Sequence, residues 1–470
     1  MTSTTAAPIA PPGRRARAGS GFALAVASGA AFLAMLDATV ANLAVADLHR
    51  DFPRVAIGDL SWVITIYAIA FAALLAPGGR FADLVGRRAL LSAGAALFTI
   101  MSIVAAAAPS LGILLAARGL QGAGAAAMIP ASLAVVLADT PPERRAAAIG
   151  AWSAAGALAA AAGPAVGGVL VDVAGWRSVF FITIPAGLGV LAGARLLPMG
   201  AVRTGPRPAP PDALGIALLG AGVGALALGV SRGAAWGWGD ARTLAAIAGG
   251  LAGIAAVLAR SARHPAPAVE VGLWRSRTFA LANLASLIYG AVLFSWLLVG
   301  VLFVTQAWGY SPLRAGLAVT PGALTAAIVA LRCGPLVGRF GPRPVVVGGL
   351  LTIAATAVWI MAAISDDPAF LSLWLPAGIV LGVGMGAVAT GLSAAAALSV
   401  PPDRFAAGVG LNQAARAVGG ALGVAAMATI LAGTDPSAAA SYRGVYLLCT
   451  ILLVSAAVVA LGLRRPEARR

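Results

Sequence analysis

The chain has 470 residues, 60% of them hydrophobic and only 10% charged, with a mean hydropathy of +0.94. A soluble domain carries about 25% charged and roughly 45–50% apolar residues, so this composition is that of a polytopic membrane protein and leaves no soluble domain for enzymology or nucleic-acid binding. The formal charge of +16 arises from arginine without any lysine, and the arginines stand between apolar runs, where topology determinants sit.

The chain opens on residues 1–20, rich in Thr, Ala and Pro, which read as a disordered cytoplasmic tail. Arg14, Arg15 and Arg17, the apolar run from Gly21 and the triplet Ala44-Val45-Ala46 together imitate a cleaved signal peptide. A secretory apolar core holds no Asp, and the run to Val45 is long enough to span, so it reads as the first membrane helix.

A spanning helix needs about 20 apolar residues. Breaking the chain at charges, prolines and turn residues gives fourteen such segments, near 21–46, 58–77, 89–108, 111–137, 145–171, 178–197, 213–231, 242–260, 279–303, 314–333, 343–364, 369–397, 404–432 and 441–463. With the N-terminus inside, 23 of the 32 arginines fall on inner connections and 7 on outer ones, leaving Arg118 and Arg416 within helices. The positive-inside rule thus places both termini in the cytoplasm. The expected organisation is a six-helix bundle over 21–197, a linker with two inserted helices over 198–278, a second six-helix bundle over 279–463 and a tail over 464–470.

The bundles share a weak repeat. GGRFADLVGRR (residues 78–88) ends the second helix and CGPLVGRFGPR (333–343) ends the tenth, pairing Gly79 with Gly334, Gly86 with Gly341 and Arg88 with Arg343. Repeated halves are a usual construction of secondary transporters. In the first copy, glycines permit a tight turn between helix ends. Asp83 with Arg80, Arg87 and Arg88 supplies charges that can pair across an inner gate or bind helix ends; a generic basic inner loop is the plainer alternative. Gly338 replaces the acid in the second copy, which predicts a weaker charge lock there.

This loop resembles the motif between helices two and three of the major facilitator superfamily. LDATVANLAVADL in helix one, RGLQGAGAAAMIP in helix four, GPAVGGVL with GWRSVFFITIPAG around helices five and six, and GYSPLRAGLAVTPG entering helix ten resemble its fourteen-helix drug:proton antiporter branch. Ala46 stands where that branch usually has Pro, and Thr183 where it often has Asn. The resemblance implies a major facilitator fold of two six-helix bundles plus two inserted helices. It also implies that Gly156, Gly163, Pro164, Gly167 and Gly168 form the helix-five pattern of exporters. Small residues four apart let helices touch closely and an internal Pro kinks them, although ordinary tight packing would use the same residues.

Asp37 is the one carboxylate this parse places well inside the membrane, late in the first apolar run. A buried, unpaired carboxylate is expensive. At about 1.5 Å per residue, Asp37 lies roughly 13 Å below the outer end of helix one and Arg118 roughly 10 Å below that of helix four, so they can pair across a central cavity. We expect Asp37 to be the proton-coupling carboxylate, with Arg118 tuning it; a static ion pair between helices one and four is the alternative.

Helices nine to fourteen hold no such acid, because Asp366, Asp367, Asp403 and Asp435 all fall in connections. That absence leans the expected cargo toward monocations or neutral amphiphiles. Candidate cavity residues are Trp62, Tyr67, Phe71, Gln121, Trp152, Tyr289, Phe294, Trp296, Gln306, Trp359, Asn412 and Arg416. Cys333 and Cys449 read as buried small hydrophobes, and His49 and His264 as loop residues without ligand-spaced partners. No GxxxxGK loop or catalytic triad occurs, so ATP and enzymatic chemistry are not expected.

The expected function is proton-coupled export of small amphiphilic or cationic compounds across the cytoplasmic membrane by a monomer. The proton gradient is the energy source, with no cofactor, metal or nucleic acid involved. A facilitator for metabolite uptake and a non-transporting receptor are the rivals; the helix-five pattern and the short loops disfavour them respectively.

Overall fold

With no water in the hydrocarbon core, each spanning segment must satisfy its own backbone, and apolar runs of this length do so as helices. The computed structural model describes residues 14–53, 55, 60–197 and 212–464, and no strand occurs among the described residues. Fourteen helices there are long and apolar enough to cross a membrane, in agreement with the hydropathy parse.

The first half comprises α1 (Arg14–Asp51), α2 (Trp62–Val85), α3 (Arg87–Ala106), α4 (Leu111–Asp139), α5 (Arg145–Ala174) and α6 (Thr183–Leu196), with a short turn at Ser178–Phe181 before α6. Two inserted helices follow, α7 (Ala213–Trp236) and α8 (Ala241–Ser261). The second half comprises α9 (Arg277–Gln306), α10 (Pro312–Phe340), α11 (Pro342–Ala363), α12 (Leu375–Leu398), α13 (Phe405–Leu431) and α14 (Arg443–Ala460). Helix α1 starts at Arg14, within the stretch expected as a tail; residues 1–13 of that tail lie outside the described residues, as do the Pro-rich linker over 198–211 and the terminal 465–470.

The repeat noted in the sequence is structural. Gly86 and Gly341 separate helices two and three of their halves with φ of 114° and 85°, a region open to glycine and strained for other residues. Gly79 of α2 lies against the Ala406 carbonyl of α13, while Gly334 of α10 lies against Ala146 and Ala147 of α5. The second helix of each half therefore rests on the fifth helix of the other. Both crossings lie at the end carrying Arg80, Arg87, Arg339 and Arg404, which we term the arginine-rich end.

The α7–α8 hairpin leans on the seam between α2 and α13. Leu226 and Val230 of α7 pack with Ala425 of α13, and Arg232 of α7 lies over the Trp62 ring of α2 at 4.8 Å.

A Cβ added at Gly334 would stand 2.7 Å from both the Ala146 carbonyl and the Ala147 Cα, whereas one added at Gly189 would meet nothing within 4 Å. Gly334→Leu should therefore cost about 1–3 kcal/mol of overpacking and lower the melting temperature of the purified protein. Gly189→Leu should stay within about 0.5 kcal/mol of wild type. Equal melting temperatures for the two variants would contradict the close crossing.

Candidate functional site

Apolar helices hide a charge only if other helices answer it, and Asp37 is answered on both oxygens. Its Oδ2 accepts from Arg118 Nη1 at 2.7 Å and its Oδ1 from Gln121 Nε2 at 3.0 Å. Arg118 and Gln121 lie one turn apart on α4, and the same Nη1 also donates to Gln121 Oε1 at 2.6 Å. Arg118 Nε donates to the Val63 carbonyl of α2 at 3.0 Å, and its guanidinium lies 4.3 Å from the Tyr67 ring centre and 5.5 Å from that of Phe180.

The network continues outward from Gln121. Its Nε2 reaches Ser102 Oγ of α3 at 2.9 Å, and Thr183 Oγ1 of α6 lies 3.0 Å from the same hydroxyl. Asp37, Ser102, Arg118, Gln121 and Thr183 are all fully buried. Depth matching thus pairs the right residues but misstates their setting. The structure joins Asp37 and Arg118 directly within the first half rather than across an open cavity. Ser102 was not singled out from the sequence, and Thr183 was noted only as a departure from the family pattern. Their signal is a hydroxyl at matched depth on an otherwise apolar helix.

The exporter-type glycines seat α5 on the helix that carries Asp37. Gly163 faces the Thr39 side chain, Gly167 lies against Val40 and Leu43, and Gly156 lies near Met35. On the other face, Pro164 packs on Gly316 of α10, Gly168 lies near Leu313, and Thr320 of α10 donates to the Ala161 carbonyl at 3.4 Å. Helix α5 is therefore held between Asp37's helix and the second half. At the end opposite the arginine-rich one, the Trp176 backbone N–H donates to Asp47 Oδ2 and its indole N–H to Asp51 Oδ2, each at 2.9 Å. The Trp176 and then the Arg177 hydrogen bonds hold the Asp51 carboxyl below the usual carboxylate range.

At the arginine-rich end, Asp83 crosses between the halves. It accepts from the Ala407 N–H at 2.8 Å and the Ala406 N–H at 3.4 Å, capping the start of α13, while Arg87 binds the same carboxylate at 3.0 Å. Arg87 also reaches the Pro402 and Ala134 carbonyls. Arg80 pairs instead with Glu270 at 2.9 Å, and Arg404 binds the other oxygen of Glu270 at 2.8 Å. Glu270, in the linker after α8, was not anticipated from the sequence. Arg88 takes the other of the two expected roles, binding a helix end: it donates to the Ala194 and Arg195 carbonyls at the end of α6 in its own half.

The cavity candidates divide. Tyr67 stacks on Phe71 beside Arg118, and buried Trp152 donates to Ser132 Oγ at 3.2 Å. Asn412 donates to Ser286 at 2.8 Å, and Arg416 to Ser393 at 3.3 Å, where α13 meets α9 and α12. The others are corrected. Trp62 packs against the inserted helix, Trp296 packs edge-on against Tyr446 of α14 at 5.3 Å, and Gln306 is exposed at the end of α9. Trp359 and Phe294 are each 39% exposed, and Phe294 lies against Gly420 of α13. Hydropathy gives the same signal for rings facing lipid, a neighbouring helix or a chamber, so it cannot separate them.

Losing a carboxylate cap on a helix start costs about 0.5–2 kcal/mol, and 1.4 kcal/mol is tenfold in an equilibrium. Asp83→Ala should therefore raise maleimide labelling of an Ala406→Cys reporter about two- to thirtyfold, and Glu270→Gln should raise it in the same direction. Unchanged labelling in both variants would remove these carboxylates from the closure.

The profile of the Major Facilitator Superfamily matches residues 27–213 and 284–470. The stretch between the matches holds α8 and all but the first residue of α7. The chain is 32% identical over 452 residues to the cephamycin export protein CmcT of Amycolatopsis lactamdurans, covering 93% of this chain and 91% of that one. It is 35% identical over 421 residues to the puromycin resistance protein pur8 of Streptomyces alboniger, covering 87% and 81%. It is 31% identical over 412 residues to the tetracenomycin C resistance and export protein of Streptomyces glaucescens, covering 87% and 75%. Among solved structures it is similar to the human organic anion transporter MFSD10 (TETRAN), with a TM-score of 0.65 at 17% identity over 92% of this chain and 99% of that one, a likeness of fold alone. With both halves matched by one profile and fourteen spanning helices, this chain belongs to the major facilitator superfamily and is a multi-pass membrane transporter rather than an enzyme.

Proposed function

We propose that this transporter is a proton-coupled antiporter that exports small amphiphilic compounds across the cytoplasmic membrane by alternating access, with both termini cytoplasmic. The observation that carries the reading is the sealed Asp37–Arg118–Gln121 network. A buried ion pair is a poor stabiliser, since an apolar replacement is often neutral or better. Its presence in α1 and α4 is accounted for by a titration that the transport cycle uses. When Asp37 takes up a proton, its carboxylate no longer neutralises Arg118, and the Gln121 amide and the guanidinium must find a new arrangement.

The packing offers a route for that change to reach the second half. Thr39, Val40 and Leu43, within two turns of Asp37 on α1, lie against Gly163 and Gly167 of α5, whose Pro164 bears on Gly316 of α10. A shift of α1 thus pushes on an element that already spans both halves. The charge locks at Asp83 and Glu270 join the halves at the arginine-rich end, which the arginine distribution assigns to the cytoplasm. In this conformation that side is closed. No bound cofactor is required, because the proton gradient supplies the energy, and a single chain contains every part named here. Export as the direction of transport is supported by the helix-five glycines and by the export and resistance proteins to which the chain is similar.

The test uses purified protein in liposomes with an imposed pH gradient and a panel of amphiphilic dyes and antibiotics. Wild type should show gradient-dependent flux for some of them, and Asp37→Asn should reduce that flux to background. Asp37→Asn should also destabilise the protein by about 3–5 kcal/mol, the cost of stranding one member of a buried pair. The double variant Asp37→Asn with Arg118→Gln should recover most of that stability but none of the coupling. Gradient-driven flux in the stable double variant would refute the assignment.

A further inference from the structure

The second half contains a membrane-embedded charge without a protein counter-ion. Arg416 lies eleven positions beyond Phe405, the first residue of α13. At about 1.5 Å per residue that is roughly 16 Å along the helix, near the middle of a hydrocarbon core about 30 Å thick. A guanidinium at that depth cannot snorkel to either interface, and it stays charged across the physiological range.

Its surroundings are neutral. Nη2 donates to Ser393 Oγ of α12 at 3.3 Å, and the guanidinium carbon lies 5.7 Å from the Tyr289 ring centre of α9. Nε is shut from solvent with no hydrogen-bond partner, and no carboxylate lies within ion-pair distance among the described residues. Ser393 and Tyr289 are themselves buried, so the side chain points among helices rather than into lipid, and it keeps partial exposure there. Gln413, the next residue but two before it and one turn away on the same face, holds a buried amide oxygen that also lacks a partner. The first half presents the opposite situation. Asp37 has both oxygens occupied and its charge is paired with that of Arg118, so that site carries no unpaired charge for a cation to meet.

The uncompensated charge inside the membrane is therefore positive, and an isolated intramembrane charge marks a functional contact with a partner of opposite sign. We propose that Arg416 is the counter-ion for an ionised acid on the exported compound. The cargo class is then amphiphilic anions, carboxylates foremost, in place of the monocations or neutral amphiphiles suggested by the lack of acids in the second half. The planar guanidinium fork suits a carboxylate. This inference rests on the reading of the chain as an exporter, but not on proton coupling.

The test measures binding with no gradient present. Purified full-length protein in detergent is titrated with pyrenebutyrate, naphthoxyacetate and dansylglycine, each beside its methyl ester, and the shift in melting temperature gives the affinity. At least one acid should bind about tenfold more tightly than its ester, the scale of one charge-assisted pair. Arg416→Gln should bring that ratio to about one, with Arg416→Lys in between. No acid preference in wild type, read without any variant, overturns the proposal, as does a preference that survives Arg416→Gln. Acid preference without pH-driven flux in liposomes would keep this inference and sink the proton coupling. Equal pH-driven flux of acids and esters would do the reverse.

Discussion

Nothing inside a bilayer finishes an incomplete set of polar contacts, so every charge placed there must be answered by another helix or by cargo. That constraint organises the molecule. Asp37 is answered by Arg118 and Gln121, and the debt is passed on through Ser102 to Thr183, which ties α1, α3, α4 and α6 into one half. Asp83, at the membrane edge, is answered by Arg87 and by the amides that begin α13, which ties one half to the other. The first arrangement joins four helices within one half; the second joins the halves through backbone amides at a helix start, groups that water can also satisfy.

The halves are related but not equal. Each lays its second helix on the fifth of the other through a glycine, Gly79 in one case and Gly334 in the other. Only the first copy carries the acid, and Gly338 occupies the matching place in the second. The connection between halves compensates with Glu270, which holds Arg80 of one half and Arg404 of the other. The chain leaving the inserted hairpin is thus part of the closure, while the hairpin itself braces the α2–α13 seam.

Much of this was legible in the sequence for a simple reason. Hydropathy reports the contrast between membrane and water, so fourteen spans, their arginine-marked ends and the depth of Asp37 and Arg118 could be read from residue types alone. The repeat was legible where glycine is required by geometry, at Gly86 and Gly341. A second repeat was missed. Pro141-Pro142-Glu143-Arg144 and Pro401-Pro402-Asp403-Arg404 each form the turn that leads into a fifth helix, and the match is short enough to vanish beside ordinary loop composition. Glu270 and the packing of Trp62 on α7 and of Trp296 on α14 were not legible, because which face of an apolar helix meets a partner depends on tertiary contacts that hydropathy does not encode. The expected openness of the Asp37 site failed for the same reason: depth sets the level of two side chains but not the distance between them.

The chain uses arginine for every fixed cation, and this bears on the proposed proton coupling. A lysine at Arg80, Arg87, Arg118 or Arg404 could be coaxed into losing its proton by burial, whereas a guanidinium holds its charge at any pH a cell meets. The positive side of each lock is therefore constant. Under the proposed coupling, the group that takes up and gives back the proton is the carboxylate opposite, at Asp37 within the first half. In that proposal the protonation of one acid is read against a background of cations that do not respond.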